Sequence, residues 1–293
     1  MLTPRMSFGE KVFGLVNLFL LLLLTIVILF PILYVVSVSL TPLEVLARRG
    51  NFQVIPKAIT LEAYKYLLST GLIPRAFFNS VIITGLGTVV NLTLTTLMAY
   101  PLSRKDLPAR RFWLAFILFP MMFSGGLVPL FILIRSLHLL NTYWAVVMPL
   151  AISSYNTLIM MKFFESLPQE IFDAARIDGA NELRILRSIV LPLSKPIEAT
   201  LGLFYAVGHW NGFFYPLMFL SDDNLQPLQL VLRNILLNLV TEDTQQIIEK
   251  FELLPGRTLK MAAVVLSVLP LLVVYPWIQK YFAKGLMLGA VKG

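Results

Sequence analysis

Six long stretches of this sequence contain no charged residue, and this feature limits what the chain can fold into more than any other. Asp, Glu, Lys and Arg are all absent from residues 12–43, 76–103, 112–134, 136–161, 199–221 and 261–279. A helix rises about 1.5 Å per residue and needs about 20 apolar residues to cross the hydrocarbon layer of a bilayer. The shortest stretch has 19 residues. We therefore predict an all-α, polytopic membrane protein with six transmembrane helices.

The overall composition agrees with that prediction. Hydrophobic residues make up 57% of the 293 residues and charged residues 14%, whereas soluble domains have about 45–50% and about 25%. The first stretch is longer than the apolar core of a secretory signal, which has about 7–15 residues, and it lacks a cleavage site of small residues. We therefore expect it to remain in the protein as the first transmembrane helix.

The absence of charge from the six stretches also excludes several functions. Ionisable side chains inside a membrane mark proton relays and ion sites, so proton-driven transport and intramembrane aspartyl proteolysis are not expected. The chain has no cysteine, which removes disulfides, thiolate catalysis and cysteine-ligated metals. It also lacks the G-x-x-x-x-G-K-[ST] nucleotide-binding motif. We expect no catalytic residue, no metal site and no directly bound cofactor, so energy for any pumping must come from another subunit.

Two histidines, His138 and His209, are the only histidines in the chain. Neither has an acidic residue close to it in the sequence, and a lone histidine of this kind is more often a hydrogen-bonding group than a catalyst. A membrane-embedded enzyme is the alternative, and it predicts loss of catalysis when either histidine is replaced.

The distribution of basic residues predicts the orientation. With six helices, 14 Lys and Arg residues fall on the side of the two termini and 10 on the other side. Arg104, Lys105, Arg110 and Arg111 crowd into one short connection, which the positive-inside rule weights most. Both termini are therefore expected in the cytoplasm. The net charge of +8 then reflects this topology and contacts with membrane lipid, and it does not indicate nucleic acid.

Two long segments, 44–75 and 222–260, fall on the external side in this topology. The second has apolar residues at helical spacing over Leu228–Val240, with Arg233 and Asn234 off the apolar face. An amphipathic helix of this kind either lies on the bilayer surface or docks a partner, and the sequence leaves both open.

A polar stripe runs along the second charge-free stretch. Ser80, Thr84, Thr88, Asn91 and Thr95 recur at steps of three or four residues, which places them on one face of a helix. Such a face either packs against neighbouring helices through hydrogen bonds or lines a translocation path for an uncharged or sugar-like substrate. The sequence leaves both interpretations open.

A second polar and aromatic group lies in the fifth stretch and consists of His209, Trp210, Asn211 and Tyr215. Aromatic faces with amide donors suit sugar rings, so His209 and Asn211 are candidates for the same translocation path. Trp and Tyr are also typical of the membrane interface, and we favour that interpretation for Trp210 and Tyr215.

The only long cytoplasmic segment, 162–198, predicts two short helices. We expect Ser166 to be the N-cap of the first helix and Pro168 to lie in its first turn. Glu170 and Asp173 then lie near the positive end of that helix, where acidic side chains are favourable.

A tight turn joins these two helices. Asp178 and Gly179 supply it, because aspartate bonds its neighbouring backbone and glycine adopts positive φ without strain. Ala174, Ala175 and Ala180 leave the turn with little side-chain bulk, so another protein can approach the backbone closely.

Residues 173–180 read Asp-Ala-Ala-Arg-Ile-Asp-Gly-Ala, and Leu191-Pro192 follows. This pattern resembles the cytoplasmic loop of permease subunits of bacterial ATP-binding-cassette (ABC) importers, in which Glu-Ala-Ala and a later Gly precede Leu-Pro. The loop also lies between the fourth and fifth predicted spans, as in that family. Similarity to the carbohydrate-uptake branch extends from about residue 70 to the C-terminal segment 281–293. More narrowly, the chain resembles permeases for polysaccharide fragments, such as the second permease of an alginate importer.

The resemblance implies a type I ABC importer permease fold and a division of the chain. Residues 1–75 would hold the cytoplasmic N-terminus, the first transmembrane helix and an external loop. Residues 76–280 would form the transmembrane domain with helices two to six, and 281–293 a cytoplasmic tail. The loop would be the coupling helix that enters a cleft of the ATPase subunit. Its ATPase-coupling residues would be Glu170, Asp173, Ala174, Ala175, Asp178, Gly179 and Ala180, with Asp173 in place of the usual Glu.

The resemblance also implies the partners. They are a homologous permease that completes a heterodimer, two ATP-binding subunits that hold ATP and magnesium, and an external or periplasmic solute-binding protein. The substrate would be an oligosaccharide carried across the bacterial cytoplasmic (inner) membrane. Basic residues of the first external segment would suit an acidic one, alginate-like in chemistry; these are Arg48, Arg49, Lys57, Lys65 and Arg75. A channel or export permease that works without a binding protein is the alternative.

Overall fold

The computed structural model describes residues 8–42, 45–46, 55–56, 58–237 and 256–290. Over those ranges the chain is helical with short turns and contains no β-strand, so the predicted all-α class is confirmed. The helices of eight or more residues are α1 (Phe8–Ser39), α2 (Glu62–Ser69), α3 (Leu72–Ser103), α4 (Arg110–Met122), α5 (Leu127–Ser136), α7 (Ser154–Glu165), α8 (Gln169–Ile177), α10 (Lys195–Asn211), α12 (Leu228–Leu237) and α13 (Gly256–Ala290). The α-helices of four to six residues are α6 (Tyr143–Val147), α9 (Glu182–Ile185) and α11 (Phe214–Phe219).

Three of these helices are long and apolar enough to cross a membrane without a break, over Phe8–Ser39, Leu72–Ser103 and Gly256–Val273. Two bent pairs bring the number to five if each pair is one span. The remaining charge-free stretch, 199–221, is divided between the 17-residue helix α10 and the six-residue helix α11. Every stretch therefore lies on helices, but three of them are not single helices.

Glycine and proline explain the breaks. Helices α4 and α5 differ in direction by 112°, and between them Gly126 has a φ of 86°, which side-chain-bearing residues rarely adopt. The pair Tyr143–Leu150 and Ser154–Glu165 is bent by 56°. Pro149 lies in the 3₁₀ turn that ends the first half, and the Ser153 side chain caps the second half by accepting from the Asn156 N–H. Charge patterning alone did not predict these bends.

The chain divides into two compact units, and the first comprises Met1–Gly71 with Glu242–Val268. Within it, the most hydrophobic window of α1 has a mean hydropathy of 3.0 and is 0% buried. An apolar helix that is exposed on all sides is stable only in lipid or against other apolar helices. Near its end, the Ser39 and Tyr64 hydroxyls lie 2.6 Å apart, and the Arg257 guanidinium donates to the Tyr34 hydroxyl.

The second unit comprises Leu72–Thr241 with Leu269–Gly293. Helix α3 is central to it, because α3 packs against α10, α7, α12 and α6. The largest core cluster lies toward the end of α3 and joins buried residues of α3, α7, α8 and α10 with those of the segment that follows α9. The loop predicted to be cytoplasmic is therefore built onto the same core as the spanning helices.

The amphipathic helix predicted in segment 222–260 differs from its prediction. It exists as α12, Leu228–Leu237, but it packs on its own chain, buries Leu230 and Asn234, and leaves the expected apolar residue Leu236 exposed. Asn234 was predicted to lie off the apolar face, and that was wrong. Its side-chain amide donates to Gln226 Oε1 at 3.4 Å, so a polar neighbour makes its burial acceptable.

Several predicted features lie outside the described residues. These are Arg48, Arg49 and Lys57 of segment 44–75, residues 238–240 of the predicted amphipathic helix, and residues 291–293 at the C-terminus.

Candidate functional site

Helix α8 begins one residue after Pro168, which occupies the N-cap position with φ −58° and ψ 130°. Proline loses nothing there, because the first amides of a helix have no partner within it. Ser166 was predicted to be this N-cap, and that was wrong. Its backbone is still helical as the C-cap of α7, with φ −80° and ψ −12°, whereas an N-cap needs an extended backbone. Its hydroxyl donates instead to the Phe163 carbonyl at 2.7 Å.

The turn after α8 is closed by hydrogen bonds between its own backbone groups. The Ala180 N–H donates to the Ala175 carbonyl and the Gly179 N–H to the Arg176 carbonyl, both at 3.0 Å. This pair of bonds around a glycine with φ 75° is a Schellman motif, in which glycine is preferred because it has no Cβ to clash. Asn181 then caps α9, since its Oδ1 accepts from the Arg184 N–H at 2.9 Å.

The predicted coupling residues fall on two faces of this segment. The exposed residues are Glu170, Asp173, Ala174, Asp178 and Gly179, and Ala180 is half-buried. Ala175, by contrast, is buried together with Phe172 against the core below the loop. The exposed predicted residues are therefore acidic or small, whereas Ala175 belongs to the core beneath them.

A group of side chains that the sequence did not single out connects the loop to the end of α3. We call it the Arg104 cluster, and it comprises Tyr100, Arg104, Phe172, Arg176 and Glu182. The Tyr100 hydroxyl donates to Glu182 Oε2 at 2.6 Å and accepts from Arg104 Nη2 at 2.8 Å. Arg176 donates to Glu182 Oε1 through Nη2 at 2.9 Å. The Arg104 guanidinium carbon lies 3.8 Å from the centroid of the Phe172 ring.

The Arg104 cluster shifts the pKa values of Glu182 and Arg176. Partial burial alone would raise the pKa of Glu182, but hydrogen bonds from Tyr100 and Arg176, with the charges of Arg176 and Arg104, outweigh it and lower that pKa below 4.5. The hydrogen bond to Glu182 raises the pKa of Arg176. Glu182 is thus held as a carboxylate at neutral pH.

The polar stripe of α3 lies between helices. The Ser80 hydroxyl accepts from the Leu228 N–H at 2.8 Å, and the hydroxyls of Thr95 and Tyr205 lie 2.7 Å apart. Asn91 donates to the Leu150 carbonyl. These contacts are what helix packing requires. The oxygens of Thr84 and Thr88, however, are buried without a hydrogen-bond partner among the described residues.

His209 joins this stripe, whereas Asn211 and the other histidine, His138, do not share its setting. Its Nε2 lies 2.7 Å from Asn91 Oδ1, and its ring packs directly on Gly87. Asn211 is exposed at the end of α10. His138 is an exposed turn residue with φ 56°. The two histidines therefore lie in different surroundings, and His209 is a buried partner of Asn91.

Sequence reasoning missed Tyr100, Arg104 and Glu182 as site residues. Arg104 was counted only toward orientation. Tyr100 and Arg104 are four residues apart, a spacing that places two side chains on one helix face, and this was the available signal. Glu182 is 82 residues from Tyr100, and no local pattern predicts that contact.

A comparison with protein families gives the class of this protein. Residues 91–287 match the model of the family described as "binding-protein-dependent transport system inner membrane component". The chain belongs to this family. It is thus an inner membrane transport permease rather than an ATPase, and the type I importer fold expected from its loop is confirmed.

Two relatives and one solved structure are similar to this chain over most of its length. The chain is 43% identical to Protein LplC of Bacillus subtilis (strain 168) over 267 residues, which are 90% of this chain and 89% of that protein. It is 40% identical to the polygalacturonan/rhamnogalacturonan transport system permease protein YtcP of the same organism, over 93% of this chain and 96% of that one. A chain in the crystal structure of a bacterial ABC transporter involved in the import of the acidic polysaccharide alginate is 32% identical, with a TM-score of 0.89, and covers 96% of this chain and 100% of its own.

Proposed function

We propose that this chain is the membrane-spanning permease subunit of an ATP-driven importer and that it translocates an oligosaccharide by alternating access. The observation that carries the proposal is the loop of α8 and its turn. Its predicted coupling residues on the exposed face are acidic or small, while its inner face, with Phe172 and Ala175, belongs to the core of the spanning helices. A partner that moves this loop therefore moves those helices.

The proposed partners follow from this arrangement. Two ATPase subunits receive the coupling helices of this chain and of a homologous permease, and an external solute-binding protein delivers the substrate. ATP and magnesium are held by the ATPases. Differential binding of ATP to the inward-open and outward-open states supplies the shift between them. The family's dependence on a binding protein argues against a channel or exporter that works alone.

We further propose that the substrate is an acidic oligosaccharide and that both termini are cytoplasmic. Relatives named for polygalacturonan/rhamnogalacturonan and for alginate support an acidic substrate. Lys65 and Arg75 carry positive charge on the side proposed to be external. The basic connection of 104–111 supports the orientation.

Two matched glycine variants test the coupling role. Gly179 and Gly71 both have φ 75° and open space where a Cβ would be, so Gly179→Trp and Gly71→Trp impose the same backbone strain. We expect Gly179→Trp to abolish co-purification of the ATPases while membrane insertion is retained, and Gly71→Trp to keep the complex intact. Retained assembly in Gly179→Trp would contradict the assignment of the coupling turn.

A transport assay tests the rest of the proposal. The complete importer in proteoliposomes should import acidic oligosaccharide only when ATP and the solute-binding protein are both present, and neutral oligosaccharide of equal length should compete poorly. Import without the binding protein would refute the importer assignment. Equal import of both sugars would refute the acidic substrate alone.

A further inference from the structure

Arg104 occupies an unusual place for a basic residue beside a membrane. Its side chain is 12% exposed, whereas that of its neighbour Lys105 is exposed. The guanidinium carbon lies 3.8 Å from the centroid of the Phe172 ring and 4.7 Å from that of the Tyr100 ring. A cation over an aromatic face is attracted to it, more strongly when water is excluded. Arg104 is thus held between the loop and the spanning helix α3.

Its contacts reach both short helices of the loop. The ring of Phe172 belongs to α8, and Glu182, reached through the Tyr100 hydroxyl, begins α9. Tyr100 lies on the last turn of α3, and Arg104 directly follows that helix. Apolar packing between these elements is non-directional and permits sliding, whereas a chain of hydrogen bonds fixes their register. The cluster therefore ties α3 to both halves of the loop at one point.

The direct ion pair between Arg104 and Glu182 is long. Arg104 Nη2 lies 3.9 Å from Glu182 Oε2, compared with 2.9 Å between Arg176 Nη2 and Oε1. The Nε–H of Arg104 is buried without an acceptor among the described residues. An open pocket of about 420 Å³ is lined in part by Arg104, Arg176 and Glu182. Arg104 therefore acts on the loop mainly through the Phe172 ring and the Tyr100 hydroxyl, and its direct ion pair with Glu182 is a minor contact.

We propose that Arg104 is a positioning residue that makes α3 follow the coupling loop, so that ATP hydrolysis by the partner subunits is converted into movement of the spans. This inference rests on the proposed function. It assigns to Arg104 a role that differs from docking of the ATPase, because Arg104 lies behind the presented face of α8 and joins it to the membrane helices.

The experiment compares sugar imported per ATP hydrolysed in proteoliposomes containing the complete importer. Arg104→Met removes the positive charge, Arg104→Lys keeps a positive charge at this position, and Tyr100→Phe removes only the bridging hydroxyl. Lys105→Met is the matched control, because it removes one positive charge from the adjacent exposed position. Coupling between sites is typically worth about 5–150-fold. We expect Arg104→Met to lower the ratio by about tenfold with the ATPases still bound, Arg104→Lys to recover most of it, and Lys105→Met to leave it unchanged.

The outcomes separate a positioning role from a merely structural one. If transport and ATP hydrolysis fell in parallel in Arg104→Met, with the ratio unchanged, the proposal would be wrong. Should that variant fail to assemble, Tyr100→Phe and Glu182→Gln decide, and a wild-type ratio in both would overturn it. Failure of the proposed function itself is distinguishable, because the wild-type complex would then show no ATP-dependent import.

Discussion

Helices α3 and α10 approach each other closely at Gly87, and this contact yields a sharp prediction. A Cβ at Gly87 would lie 2.6 Å from both Cδ2 and Cε1 of the His209 ring and closer still to Nε2. Real Cβ atoms do not approach other atoms so closely, so Gly87→Ala forces the imidazole to move. The movement breaks the 2.7 Å contact between His209 Nε2 and Asn91 Oδ1.

The expected cost follows from three contributions. Overpacking costs about 1–3 kcal/mol, and loss of a buried hydrogen bond costs about 0.5–1.5 kcal/mol. The better helix propensity of alanine offsets about 0.5–1 kcal/mol. The net destabilisation is about 0.5–4 kcal/mol and centres on about 2 kcal/mol, which corresponds to a fall of roughly 4–8 °C in apparent melting temperature.

Gly85 supplies the control, because it lies on the same helix and a Cβ added there would meet no atom within 4 Å. Gly85→Ala should leave the melting temperature unchanged or raise it slightly. Thermal unfolding of the detergent-purified chain, followed by loss of the monomeric peak in size-exclusion chromatography, measures both. The double variant Gly87→Ala/His209→Ala should be less destabilised than the sum of its single variants. If Gly87→Ala and Gly85→Ala melted at the same temperature, the described packing of α3 on α10 would be refuted.

Two further predictions concern the loop and the turn before α6. Because the pKa of Glu182 is lowered in the folded chain, its contacts stabilise the fold above pH 4.5, and this stability is lost as the pH falls through the lowered folded pKa. On acidification the melting temperature of the wild type should therefore approach that of Glu182→Gln. Exposed Glu170→Gln is the control, and a difference between wild type and Glu182→Gln that stays constant with pH would contradict the prediction. Asn141 has φ 58°, and its Oδ1 accepts from the backbone N–H groups of Ser221 and Asp222. Asn141→Ala should lower the unfolding free energy by about 1–2 kcal/mol, mainly because alanine is strained in the left-handed conformation. Asn141→Gly should lower it less, and equal losses would show that the backbone conformation is not the cause.

Local chemistry made much of the fold and part of the site predictable. The turn at Asp178 and Gly179 could be predicted because its conformation depends on a few adjacent residues. The stripe of Ser80 to Thr95 follows from helical spacing alone. The bend at Gly126 was missed because absence of charge says nothing about direction. Burial of Asn234 depends on Gln226, and Tyr100 meets a carboxylate 82 residues away. Such contacts are decided by the tertiary packing of helices that sequence patterns treat separately.

The Schellman turn after α8 has a consequence for recognition. Because the amides of Gly179 and Ala180 donate within the turn, and Asn181 caps the next helix, the shape of this segment is fixed by contacts within the chain. Association then requires little ordering of the chain, and ordering is a main cost of binding. A partner can thus detach and re-engage repeatedly while the loop stays folded.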